Sequence, residues 1–124
     1  MAPPSTPSGR RTEQQRLGQL GEDRALAHLN AQGLQLIERN FRCKAGEIDL
    51  IMRDGAHLVF IEVRRRASAS FGGAAASVTG AKQRRLFLAA QYYLLRYRAP
   101  PPCRFDLVAL DGQKLSWLQD IMQM

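Results

Sequence analysis

Residues 46–66, GEIDLIMRDGAHLVFIEVRRR, decide the fold. They read as two β-strands joined by a tight turn, with acids set among apolar positions. Asp54-Gly55 is the hairpin signal, because both residues tolerate the positive φ that two-residue turns favour. With Asp54 and Gly55 as the turn pair, Arg53 falls opposite Ala56, Glu47 opposite Glu62 and Asp49 opposite Phe60. Side chains alternate between faces, so Glu47, Asp49, Glu62 and Arg64 share one of them. Asp49 and Glu62 are then diagonal neighbours, about 7–8 Å apart at the backbone. Like charges across strands destabilise a sheet, and a shared divalent cation would lift that penalty. The other reading leaves Glu47 solvated and pairs Glu62 with Arg64 or an arginine from elsewhere.

Upstream, Thr12 or Glu13 opens a helix with an approximate apolar stripe of Leu17, Leu20, Ala25 and Leu29. Gly33 stops it. Gly18 and Gly21 each cost the helix about 1 kcal/mol relative to Ala, so close packing on a sheet is their expected use. Leu34 to Arg42 reads as a first strand, before Gly46–Arg53 and Ala56–Arg64. Downstream, Ala67–Ser77 is Gly-rich and small, and reads as a loop. Thr79 caps a second helix reaching about Tyr97, with Leu86, Ala90, Tyr93 and Tyr97 as its core stripe. Pro100-Pro101-Pro102 ends that stretch. Cys103–Leu110 is a further strand, Asp111-Gly112 its turn, and Lys114–Met124 a short strand or helical turn anchored by Trp117. The order α-β-β-β-α-β predicts an α/β fold with a mixed central sheet flanked by helices.

The chain of 124 residues suits one domain over residues 13–124, after a Pro- and Ser-containing leader, 1–12, expected to be disordered. No apolar run is long enough to span a bilayer, and no secretory h-region opens the chain. Cys43 and Cys103 lack any CxxC spacing and read as free thiols in a reducing, cytoplasmic setting. Net charge is +7, and residues 62–104 hold nine basic groups against one acid, Glu62. That asymmetry fits a polyanion, nucleic acid ahead of a membrane surface, with contacts expected from Arg65, Arg66, Lys82, Arg84 and Arg85. A merely basic soluble protein is the alternative. Lys82, Arg84 and Arg85 crowd a helix N-terminus, where the dipole opposes cations and would favour an anion docked there. His28 and His57 belong to no nucleophile or zinc pattern, and Asp106 reads as an anchor for a neighbouring basic group. Tyr93 and Tyr97 read as core, while Tyr92 is left open between core and base stacking.

An acid in the first helix, Asp49 on one strand and Glu62-Val63-Arg64 on the next resemble the PD-(D/E)xK nuclease core of restriction endonucleases and archaeal Holliday junction resolvases. More closely, the chain resembles the uncharacterised, endonuclease-like bacterial YraN family. The matching pieces are Gly18–Glu22 with Ala25, Asn40-Phe41-Arg42, Gly46–Ile51, Val59–Val63, Arg66, Phe71-Gly72, Lys82 and Arg104-Phe105-Asp106. The resemblance implies a restriction-endonuclease-like core and Mg²⁺-dependent cleavage of DNA, branched or damaged DNA included. It implies a catalytic set of Glu22, Asp49, Glu62 and Arg64, with Asp49 and Glu62 holding Mg²⁺ (or Mn²⁺) beside the Val63 carbonyl. Glu22 resembles the helix carboxylate of the resolvases; its other reading is a surface acid near Arg24. The pattern departs at its third position, where Arg64 stands for lysine. Arginine keeps the charge but cannot act as a base. Lys44 or Lys82 could take that place, or the chain could be a nucleic-acid-binding module without cleavage. A scaffold meeting an acidic protein is a third reading, and a homodimer would suit a branched substrate.

Overall fold

The computed structural model describes residues 12–66, 73–75 and 78–122. Apart from Thr12, the expected leader lies outside these residues, as does most of the expected loop over 67–77. Helix α1 spans Glu13–Ala31, followed by strands β1 (Gln35–Cys43), β2 (Gly46–Asp54) and β3 (His57–Arg66). Helix α2 (Gly80–Leu94) then leads to β4 (Cys103–Asp111) and β5 (Lys114–Leu118). Thr12 caps α1 in a reciprocal box: its hydroxyl accepts from the Gln15 N–H at 3.0 Å, and the Gln15 side chain accepts from the Thr12 N–H at 2.9 Å. Gly33, at φ +99°, turns the chain out of the helix. Thr79 caps α2. That helix ends at Leu94, short of the expected Tyr97.

The sheet runs β1-β2-β3-β4-β5, with β3 and β4 parallel and every other pair antiparallel. The crossover through α2 allows the parallel pair, as the element order required. Each helix covers its own core. Under α2 lie Ile48, Ile51, Phe60, Leu86, Ala90, Tyr93 and Phe105. Under α1 lie Ala25, Leu29, Leu50, Met52, Ile61, Val108 and Leu110. Tyr93 is buried edge-on to Phe41 and Phe60, and Tyr97 packs on it, while Tyr92 is 48% exposed. Gly21 justifies itself by contact: a Cβ there would stand 3.1 Å from Leu110 Cδ1. Gly18 does not, since nothing lies within 4 Å of its Cβ position. Leu20, placed in the core stripe from sequence, is 57% exposed, so the buried stripe of α1 is narrower than expected.

The hairpin register differs from the expected one. Asp54 pairs with His57, and the turn residues are Gly55 and Ala56. Gly55 has φ +60° and Ala56 has no positive φ. This is the pattern of a turn with glycine first, so Asp54 stays in the ladder. The second Asp-Gly pair behaves alike: Asp111 pairs with Lys114, and Gly112, at φ +62°, opens the turn. The register moves by two positions in sum, an even shift, so Asp49 stays on the face of Glu62 and Arg64.

Asp106 is fully buried and accepts from the Arg104 guanidinium, the Trp117 indole N–H at 2.9 Å and the Asp120 main-chain N–H at 2.9 Å. It is the anchor of a basic group that the sequence suggested.

Candidate active site

The corrected register tightens the acid pair. One rung beyond Leu50↔Ile61, Asp49 stands directly opposite Glu62 rather than diagonal to it. The Val63 main-chain N–H donates to Asp49 Oδ2 at 2.8 Å, which ties the acid to β3. Burial pushes the Asp49 carboxyl up to about 8, and the charges of Glu62 and, more weakly, Glu22 add to the rise, while the Val63 N–H opposes it. Burial also raises Glu62, against its hydrogen bond with Asp49 and the charges of Arg64 and Lys82.

The two acids line a cleft of about 230 Å³ with Glu47, Val63, Arg64, Lys82, Arg85 and Leu86. Arg64 reaches Glu62 at 3.7 Å. Lys82, from the first turn of α2, is lowered by burial and by the neighbouring Arg64, with Glu62 opposing. Glu47 pairs with Arg42 at the cleft mouth. The tip of the β1–β2 hairpin seats α2 over the acids: a Cβ on Gly46 would lie 3.2 Å from both Cβ and the carbonyl oxygen of Arg85.

The expected site residues separate into groups. Asp49, Glu62, Arg64, Lys82 and Arg85 meet in the cleft. Arg66 lies within electrostatic reach of Lys82. Arg65 does not join them: it points to the α1 side, its Cδ 3.6 Å from where a Gly21 Cβ would stand. Alternation along β3 already carried that signal, because Arg65 is an odd step from Glu62. Arg84 lines a separate groove with Gly80, Gln83, Phe87, Leu88 and Met122. Lys44 sits exposed at the β1–β2 turn, outside the cleft lining. His28 meets the edge of Trp117, and His57 is exposed beside its turn.

Glu22 is outside the cleft lining but within electrostatic reach of Asp49. Asn40 Nδ2 donates to both of its carboxylate oxygens at 3.1 Å, and Arg39 bonds one of them at 3.3 Å. Arg24, its expected neighbour, instead donates to the Gly112 and Gln113 carbonyls. Asn40 is a residue whose part the sequence reading missed, although a non-glycine at φ +53° within a strand is uncommon.

Among the described residues, no three His, Cys, Asp or Glu side chains converge as a ligand set. The pair alone offers two carboxylates, hard oxygen donors that suit Mg²⁺, which takes one or two carboxylates and keeps several waters. Burial first, and then the charge of Glu62, holds the Asp49 carboxyl up at about 8, and a cation between the two acids would offset both.

The chain is 60% identical over 113 residues to a UPF0102 protein of Janthinobacterium sp. (strain Marseille), covering 91% of this chain and 92% of that one. It is 58% identical over 113 residues to one from Herminiimonas arsenicoxydans, covering 91% of each. It is 63% identical over 115 residues to one from Cupriavidus pinatubonensis, covering 91% and 89%. Residues 21–110, from the packed glycine of α1 to Leu110 in β4, match the family as a whole. The chain therefore belongs to the uncharacterised protein family UPF0102, the YraN family whose motifs its sequence carries.

Proposed function

We propose that this protein is a Mg²⁺-dependent DNA endonuclease, with Asp49 and Glu62 as the metal-holding pair. The observation that carries the reading is the juxtaposition, in one cleft, of two raised carboxyls with Arg64, Lys82 and Arg85. An anionic backbone entering there meets three cations, and the acids it would otherwise repel are those a divalent ion would neutralise. Held by Asp49 and Glu62, Mg²⁺ would lower the pKa of a bound water and polarise the phosphodiester.

The chain's own groups divide the remaining work. Arg64 and Arg85 hold phosphate oxygens, guanidinium being suited to paired contacts with them. Lys82 takes the part of the lysine missing from the motif. Burial and the neighbouring Arg64 lower its ammonium, and a lysine can give up a proton, which a guanidinium cannot. Glu22, held by Asn40, acts on Asp49 through its charge.

A second reading, binding of nucleic acid without cleavage, is favoured by Arg64 at the motif's lysine position and its 3.7 Å contact with Glu62. One experiment separates the two. Purified protein is incubated with labelled linear, flapped and four-way-junction DNA in Mg²⁺, Mn²⁺ or EDTA, beside Asp49→Ala and Glu62→Ala. Metal-dependent cutting lost in both variants supports the nuclease. Retained gel shifts with no cutting of any substrate support the binding module, and cutting that persists in both variants removes the acid pair from the site.

A further inference from the structure

Strands β1 and β2 turn over together at a single rung. Arg39 pairs with Leu50 and Phe41 with Ile48, so Asn40 faces Asp49 between them. Arg39 reaches Glu22 and Asp23 on α1, and Leu50 packs under α1. Phe41 and Ile48 pack instead under α2. In a regular strand residues two apart share a face, so each strand has swapped faces across the Asn40–Asp49 rung. Asn40, at φ +53°, supplies the left-handed step. Asparagine tolerates that conformation better than other residues with a side chain.

The same residue fixes the step to the helix. Its carboxamide donates to both oxygens of Glu22, whose side chain is only 16% exposed. Asp49 sits on the neighbouring strand of this rung, and its carboxylate reaches the Val63 N–H. We infer that Asn40 is a positioning residue: its left-handed backbone turns the β1–β2 ribbon over, its side chain pins that turn to Glu22, and together they set Asp49 opposite Glu62. The inference rests on the acid pair being the cation site, and its test keeps the two apart.

The full chain and its Asn40→Gly, Asn40→Asp and Asn40→Ala variants are titrated with Mn²⁺, followed by electron paramagnetic resonance well below their melting temperatures. Exchange of the Val63 amide is measured by NMR without metal. Asn40→Ala loses both the backbone preference and the Glu22 bond, and should weaken Mn²⁺ binding by about 10–100-fold, as removing a group that orients metal ligands does. Its Val63 amide should exchange faster. Asn40→Asp keeps the backbone preference but sets a carboxylate against Glu22, and should lose affinity too. Asn40→Gly keeps the left-handed step but loses the Glu22 bond, and should fall between wild type and Asn40→Ala. Wild-type affinity and Val63 protection in both Asn40→Ala and Asn40→Asp would overturn the inference. A wild-type chain that binds no Mn²⁺ overturns the acid pair as a cation site instead, and Val63 exchange in the variants then decides the part played by Asn40.

Discussion

Asp49 accepts the Val63 N–H at 2.8 Å, so the acid of β2 is bonded to the residue that follows the acid of β3. That single bond holds two carboxyls together at one end of the hairpin, where burial raises both and the charge of Glu62 adds to the rise of Asp49. The consequences can be measured without knowing the substrate.

The first concerns pH. The Asp49 carboxyl is raised from 3.8 to about 8 in the folded chain, so the folded state binds the proton more tightly than the unfolded one. This stabilisation is full below about pH 4, by linkage, and is lost as pH rises toward 8. Melting temperature in EDTA should fall across that window. Mn²⁺ or Mg²⁺ should flatten the slope, and Asp49→Asn should remove most of it. At pH 8 the variant should be the more stable protein, each pKa unit relieved being worth about 1.4 kcal/mol. Scanning calorimetry from pH 4 to pH 9, with a variant no more stable than wild type at pH 8, would contradict this.

A second prediction uses Asp106 as the contrasting acid. It is fully buried where Asp49 is only partly so, and it accepts from Arg104, Trp117 and Asp120. Asp106→Ala should destabilise the fold by about 3 kcal/mol or more, because the Trp117 and Asp120 N–H groups lose their acceptor and Arg104 keeps only Asp54. Urea titration of the two variants side by side should therefore give shifts of opposite sign at pH 8, Asp49→Asn upward and Asp106→Ala downward.

Nucleic-acid affinity should sort the basic residues by geometry rather than by position in the sequence. Arg85→Glu and Lys82→Glu, in the cleft, should weaken DNA binding strongly. Each should also flatten its salt dependence by about one unit of log–log slope for every phosphate no longer neutralised. Arg65→Glu, on the α1 side, should leave that slope close to wild type. Fluorescence anisotropy between low and physiological salt reads it directly. Equal effects from Arg65 and Arg85 would place the polyanion elsewhere.

Catalysis should depend on Lys82 by its chemistry as well as its charge. Lys82→Arg keeps the cation and should preserve affinity for DNA, but lower the cleavage rate by about 10²-fold or more, the usual range for removal of a proton-transfer group. Arg64→Ala should act on affinity more than on rate. Single-turnover cleavage measured beside binding separates the two, and full activity in Lys82→Arg would take the lysine out of the chemistry.

The seat of α2 can be tested at Gly46. Gly46→Ala would bring a Cβ to 3.2 Å from Arg85 Cβ and its carbonyl oxygen. Overpacking of this kind costs about 1–3 kcal/mol, and here it would also lift Lys82 and Arg85 from the acids. Stability and DNA affinity should fall together, whereas Gly18→Ala, with open space around it, should raise helix stability and leave affinity alone.

What was legible in the sequence was local or periodic. Thr12 and Thr79 announced their helices because a cap needs only its own first turn. The strands followed from alternation, and the grouping of Asp49, Glu62 and Arg64 on one face survived a changed register because parity did; Glu47 lies beyond the rung where β2 changes face, which alternation does not foresee. Alternation also separated Arg65 from Arg64 and Arg66, which charge counting had pooled. The two Asp-Gly pairs misled by one position each, since aspartate suits the last rung of a ladder as well as the turn.

Tertiary structure alone decided the rest. Nothing in the spacing of residues 46–82 says that a lysine in the first turn of α2 lies beside an acid of β3; the fit of Gly46 against Arg85 does. Nor does sequence place Glu22 on Asn40 rather than near Arg24, because that pairing needs α1 docked across β1. Periodicity fixes which face a side chain leaves by. How far two elements approach, and so which charges share a cleft, is set by packing between residues distant in the chain.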